Sequence, residues 1–137
     1  MRQKGFTLLE VLVAVLVLSI GLLGLAGLMA SSLRNNHSAY YRSQATWLAY
    51  DVIDRMRTNL PNATDYAVAL GGAPTGGGLA GADIADWKGM VANALPEGDG
   101  SVEFIGGGGD VAVVIQWNDA RGTEGEIAQQ LRVVSRP

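Results

Sequence analysis

No cysteine occurs in the 137 residues. Disulfides, thiolate chemistry and cysteine-ligated zinc are therefore excluded, and any folded part must hold together by packing alone. The absence does not place the chain in the cytosol, because an exported protein can do without the staple. Histidine is nearly as scarce. His37 is the single one, and with no cysteine and no carboxylate pair beside it, it reads as a packed or partly exposed helix residue and not as a metal ligand. Basic charge is also short. Ten Lys and Arg stand against thirteen Asp and Glu, for a formal charge of −3 and a pI of about 5.0. No basic patch stands out, so sequence-blind binding to nucleic acid is disfavoured. The acids are scattered and form no tail. The length suits one domain and not two.

What is present is an apolar run at the front and glycine at the back. Nineteen glycines, clustered after residue 70, point to turns and loops there. Residues 11–30 are apolar except for Ser19. At 1.5 Å per residue they make about 30 Å of helix, the hydrocarbon thickness of a bilayer. A buried core helix would usually be shorter and amphipathic. A conventional cleaved signal would have a shorter apolar core followed by a small-residue cleavage site, and the small residues in 26–32 keep that reading open. Arg2 and Lys4 precede the run with no acid to offset them. Positive-inside logic then puts the N-terminus in the cytoplasm and the rest across the membrane. Glu10 stands at the mouth of the run. A carboxylate at bilayer depth costs about 2.5–3.5 kcal/mol at the helix centre and less near the interface. Glu10 is thus either a harmless interfacial charge or a carboxylate awaiting a cationic partner. Gly21, Gly24 and Gly27 recur at spacing three within the run. They fit a seam for close helix packing or ordinary membrane-helix glycine.

Lys4-Gly5-Phe6-Thr7-Leu8-Leu9-Glu10-Val11 resembles the class III leader of type IV prepilins and type II secretion pseudopilins. The resemblance implies that a membrane prepilin peptidase cuts between Gly5 and Phe6 and methylates the new amine of Phe6. Residues 1–5 are then a cleaved leader, 6–30 the transmembrane and polymerisation helix, and 31–137 the periplasmic head with the upper half of the long helix. Glu10 becomes the fifth mature residue, where the family keeps its assembly glutamate. The resemblance also offers a third reading of Gly21, Gly24 and Gly27, because in the family's filaments this stretch of the stem can lose helicity on assembly. On a helix Phe6 and Glu10 share a face, so the carboxylate is placed to be neutralised by its own amine or by that of a neighbour entering a filament. In low dielectric a single unpaired partner is costly, which rewards correct axial register. Loss of Arg2 and Lys4 takes the formal charge from −3 to −5.

Beyond Ser31 the chain turns amphipathic. Leu33, His37, Tyr41, Ala45, Leu48, Val52, Met56 and Leu60 step by three or four and mark one helical face. Asp51 and Arg55 form an acid-first i,i+4 pair, and Pro61 ends the run. One helix over 6–60, about 80 Å long, is expected, half in membrane and half against a head. Tyr40, Tyr41, Trp47 and Tyr50 are expected to serve core packing and head–stem contact. Residues 62–82 read as a loop. Asp83 is the expected N-cap of a short helix carrying Ile84, Trp87, Val91, Ala94 and Leu95, stopped by Pro96 and Gly98. Strands are expected over 101–105, 111–117 and 126–135. Val111, Val113, Ile115 and Trp117 share one face, and Ile127, Leu131 and Val133 another. A three-stranded meander laid on the long helix gives an α+β, pilin-like fold.

Gly106-Gly107-Gly108-Gly109 joins two strands with no Lys-Ser/Thr after it, and so is not a phosphate loop. Asp99, Asp110, Asp119 and Glu124 lack EF-hand spacing, and turn chemistry explains acids beside glycine. No catalytic constellation stands out. The expectation is a protein that is not an enzyme, with no metal and no cofactor. Asp54-Arg55-Met56-Arg57-Thr58-Asn59 resembles the Arg-Met-Arg-x-Asn signature of PilV-type minor pilins, the type IV pilus modification proteins. Ile115-Gln116-Trp117-Asn118-Asp119-Ala120-Arg121-Gly122 resembles a late strand–turn of the same group, and Asp86-Trp87 fits too. That group often has cysteines, so no disulfide is carried over. The resemblance implies a minor-pilin complex in the bacterial inner membrane that primes the fibre. Its implied partners are the prepilin peptidase, other minor pilins, the major pilin and the assembly platform, with no nucleic acid expected. A type II secretion pseudopilin and a ligand-binding or DNA-uptake pilin are the alternatives.

Overall fold

The computed structural model describes residues 7–107, 109–122 and 125–137. Its elements in chain order are α1 (Leu8–Thr58), a 3-10 helix (Leu60–Tyr66), α2 (Gly78–Ala94), β1 (Asp99–Ile105), β2 (Asp110–Trp117) and β3 (Gln129–Ser135). The strands form one antiparallel meander in the order β1-β2-β3, with Val113 opposite both Val102 and Val133. The expected α+β plan is therefore observed.

Thr7 is extended, and its side chain accepts the Glu10 N–H at 3.3 Å, capping α1. The expected start at Phe6 lies outside the described residues, and the helix runs from Leu8. Its 51 residues make a rod of about 76 Å with two unlike halves. Every residue from Leu8 to His37 is exposed, and partial burial begins at Ser38. Ala45, Leu48, Ala49, Val52, Ile53 and Met56 are then fully buried, at the three- and four-residue steps that keep one helical face turned to the head. Four members of the expected stripe are buried. Tyr41 is half-buried, Leu33 and His37 lie below the head, and Leu60 is exposed. α1 stops two residues early because Pro61, which has no N–H to donate, sits in the first turn of the 3-10 helix, where no donor is needed.

Three expectations for the head are corrected. Residues 62–82 are not a loop throughout, since they hold most of the 3-10 helix and the first turn of α2. Asp83 is not the N-cap: Gly77 is, and Asp83 lies inside α2. Tertiary partners outweigh its local preference for a cap. The Tyr66 hydroxyl donates to one carboxylate oxygen at 2.5 Å, and Arg55 Nη1 to the other at 3.3 Å. β3 starts at Gln129, not Glu126. The Glu126 carbonyl instead accepts the Asp119 N–H at 2.8 Å and closes the β2–β3 turn. Ile127 is consequently exposed, while Leu131 and Val133 pack on the core.

The core lies between the upper half of α1, α2 and the inner face of the sheet. Val111, Val113, Ile115 and Trp117 all face it. Trp87 is its centre, fully buried, with Nε1 donating to the Leu48 carbonyl of α1 at 2.9 Å. The edge of its ring lies where a side chain on Gly100 would begin, so only glycine fits there. The aromatic expectation holds for Tyr41 alone. Tyr40, Trp47 and Tyr50 are 50–60% exposed, because their spacing puts them on the face of α1 opposite Ala45, Leu48 and Val52.

The glycine-rich stretch before α2 is pinned by charge. Lys88 Nζ lies 3.0 Å from Asp99 and also donates to the carbonyls of Ala69 (3.2 Å) and Gly72 (2.6 Å), while the Gly71 N–H donates to Asp99. Partial burial pushes the Asp99 carboxyl up, but the Gly71 N–H, the Lys88 ammonium and the Gly100 N–H together outweigh it and hold it below the usual aspartate value. A carboxyl depressed by folding stabilises fully above its unfolded value, about 3.9, and the gain is lost as pH falls through the lower folded value. Asp99→Asn is therefore expected to melt below the wild type at neutral pH, with the gap closing under about pH 3.9. Thermal unfolding across a pH series measures this, and a gap constant with pH would dismiss the account.

Candidate functional site

The residues expected to be cut, methylated and used in assembly are Gly5, Phe6 and Glu10. Gly5 and Phe6 lie outside the described residues. Glu10 occupies the first turn, exposed, just below the uncharged run. An acid there is favoured by the unpaired N–H groups and the positive end of the helix dipole. Among the described residues no cation pairs with it. The cap places Thr7 at the edge of the helix, and the expected Phe6–Glu10 pair involves a residue outside the described ones. The sequence also held a signal that was not used: Thr7-x-x-Glu10 has the residue types of a capping box.

Above Glu10 the apolar run meets nothing. A methyl group built on Gly21, Gly24 or Gly27 would find open space. Ser19, the run's one polar residue, donates its hydroxyl to the Val15 carbonyl at 2.7 Å, so the run shows no unsatisfied side-chain donor. The helix has the length and composition to cross a membrane, with a mean hydropathy of 2.8 in its most apolar window and none of that window buried.

Residues 1–26 match the family model of the prokaryotic N-terminal methylation motif. That motif spans Gly5, Phe6, Glu10 and most of the apolar run. It supports a pilin-like leader of the type IV prepilin kind, and with the apolar helix it supports anchoring in a membrane. No curated protein and no solved structure matches the chain.

The two stretches that resemble PilV-type signatures fall at the two joints between rod and head. At the upper joint, Arg55 Nε binds Asp51 at 2.9 Å and its Nη1 reaches Asp83 on α2. Met56 is fully buried. Arg57 binds Asp54 at 2.7 Å and reaches the Arg136 carbonyl at 3.2 Å, just past β3. Asn59 Nδ2 donates to the Tyr66 hydroxyl at 3.3 Å. Thr58 only caps back onto its own helix, donating to the Arg55 carbonyl at 2.8 Å, and the other polar members tie the end of α1 to a neighbouring side chain or to a different part of the head. Burial, then the bond to Asp83, raises the Tyr66 phenol above its usual value. At the lower joint, Trp117 is buried and the Ser38 hydroxyl donates to buried Asp119 at 2.6 Å. Gly122 leaves room there, since a side chain on it would run into Ser38 and Asp119. Nothing in the spacing of Ser38 and Asp119 announced this contact.

The acids weighed as calcium ligands are dispersed. Asp99 pairs with Lys88, Asp110 with Arg136 at 2.8 Å, and Asp119 with Ser38. Glu124 lies outside the described residues. Among the described residues no group of three or more His, Asp or Glu is placed to hold a metal ion. His37 is exposed on the rod with its ring centre 6.4 Å from that of Tyr41.

Proposed function

We propose that this chain is a minor pilin of a type IV pilus, of the PilV type, processed by prepilin peptidase and acting in the priming and assembly of the fibre. The observation that carries the reading is the methylation-motif leader, set on a helix whose lower half is bare and whose upper half bears one small head. A bare apolar rod is stable only in lipid or against other rods. Such a subunit waits in the inner membrane with its head in the periplasm and passes from one medium to the other on assembly. The cut frees an amine at Phe6, and Glu10 supplies its counter-charge, either within a subunit or across to a neighbour. The joints at Ser38–Asp119 and Arg55–Asn59 hold the head rigidly on the rod, so that the head's outer surface selects partners at a fixed height.

Mass spectrometry of the N-terminal peptide tests this, on sheared surface fibres and on membranes separately. N-methylated Phe6 in the fibre fraction is the expected result. Processed Phe6 confined to the membrane would favour a secretion pseudopilin. An intact Met1, or a cut near Ala30, would remove the assembly mechanism altogether.

A further inference from the structure

The side of the upper rod that is turned away from the head carries its own pattern. Leu33, Asn36, Tyr40, Ser43, Trp47 and Tyr50 alternate steps of three and four, and all are exposed. That spacing averages 3.5 residues, which keeps one side of a helix turned to a partner helix wound on it with a left-handed twist. A solvated face would usually be charged. Here the charged side chains between Glu10 and Asp51 are Arg34 and Arg42, and helical phase puts both on the head's side. The hydroxyls ask little of water. Ser43 donates to the Ala39 carbonyl at 2.9 Å, and flanking Thr46 to that of Arg42 at 2.8 Å. The stripe meets charge at Asp54, which Arg57 holds at 2.7 Å.

The stripe also carries a socket. Leu33, Asn36, His37 and Tyr40 stand at i, i+3, i+4 and i+7 and line a shallow groove, with Tyr41 at its head-side rim. Four residues so placed form the hole that receives one side chain of a facing helix in knobs-into-holes packing. Exposed Met29 continues the stripe into the apolar run, so the helix that fills it also starts in the membrane. Two chains with the same basic leader stand the same way up, and a second copy therefore arrives parallel. In register, Asn36 of the second copy lies over the hole. A carboxamide both donates and accepts, so it is its own complement across a two-fold axis, and one asparagine in a seam fixes register. No like charges meet along the stripe below Asp54, and the heads lie on its far sides. Tyr40, Trp47 and Tyr50 are 50–60% exposed. Covering them in two copies removes on the order of 600 Å², about half of the ~1,200 Å² at which specific interfaces begin, and the apolar residues below add to it.

We infer that this stripe is a self-recognition seam, through which two membrane-anchored copies of the chain pair in parallel, in register about Asn36. This rests on the membrane-anchored reading above.

The lack of cysteine makes the test clean. Single cysteines are placed in the full chain at Ser43 and Tyr50 on the stripe, and at exposed Ser31 and Arg34 on the opposite side. Membranes of the producing cells are oxidised with copper phenanthroline, and the products are separated without reductant. A disulfide needs Cα atoms within about 7 Å, so Ser43→Cys and Tyr50→Cys should give roughly tenfold more dimer of twice the subunit mass than Ser31→Cys and Arg34→Cys. Asn36→Asp, added to Ser43→Cys, opposes two carboxylates and should lower the yield about tenfold. Equal yields at the four positions, no symmetric dimer from the stripe, or stripe cysteines joined only to a different protein overturns the seam. A yield that Asn36→Asp leaves unchanged overturns the register about Asn36. All of these leave the membrane reading standing. Release of the chain from membranes by alkaline carbonate overturns both.

Discussion

Glu10→Ala leaves the leader cut and the subunit in the membrane, and removes it from the fibre. The leader's residues 1–5 are untouched, and the change makes the run more apolar, so processing and insertion have no reason to fail. Packed among rods, however, the Phe6 amine would face a low-dielectric interior without its counter-charge. Breaking such a buried pair by deleting one member costs about 3–5 kcal/mol. At about 1.4 kcal/mol per decade, incorporation should fall by two orders of magnitude or more. Glu10→Gln, which keeps the size and loses the charge, should behave alike. Quantitative blotting of sheared fibres against membranes, with N-terminal mass spectrometry for the cut, measures both halves of the claim. Wild-type incorporation of the alanine variant would show that the carboxylate is only an interfacial charge.

The largest effect on stability is expected at Trp87. Truncation to alanine empties the centre of the core and should cost about 3–5 kcal/mol, a large share of the 5–15 kcal/mol typical of a whole domain. A sharper experiment pairs it with Gly100. Gly100→Ala drives a methyl group into the edge of the indole and should cost about 1–3 kcal/mol by overpacking. Trp87→Phe removes that edge at its own cost. The two changes should be less than additive, because the second relieves the strain of the first. Denaturant unfolding of the full chain in detergent, monitored by far-ultraviolet circular dichroism, supplies the cycle. Strict additivity would place the strain of Gly100→Ala somewhere other than Trp87.

Much of this was legible in the residues, and the failures share a cause. The rod was readable because apolar composition and three-to-four spacing are both local, and Ala45, Leu48, Val52 and Met56 are buried as that spacing required. The meander was readable from alternation in Val111 to Trp117 and the glycines between the strands. Asp83 was misplaced because its partners, Tyr66 and Arg55, are distant in sequence, and a local capping rule contains no information about them. Tyr40, Trp47 and Tyr50 were misplaced because large aromatics were assigned to the core by type, although their phase on the helix pointed away from it. The Glu126 end of β3 failed because alternation runs on into a turn closed by the long-range Asp119–Glu126 backbone bond. At the site, Glu10 was legible from charge in an apolar setting. The Ser38–Asp119 joint was not, since a serine on a helix and an aspartate in a turn are each unremarkable alone.

The outward face of the rod has a spectroscopic consequence. Of the three tryptophans, Trp87 and Trp117 are buried and Trp47 stands in the open. In the isolated subunit, the red edge of the emission spectrum and the fraction accessible to iodide thus belong to one indole. Whatever comes to lie along that side of the rod, be it a neighbouring subunit or a partner's helix, should shift the emission to the blue and shield it from the quencher. Assembly can then be followed on the unlabelled protein, at one known residue, in real time.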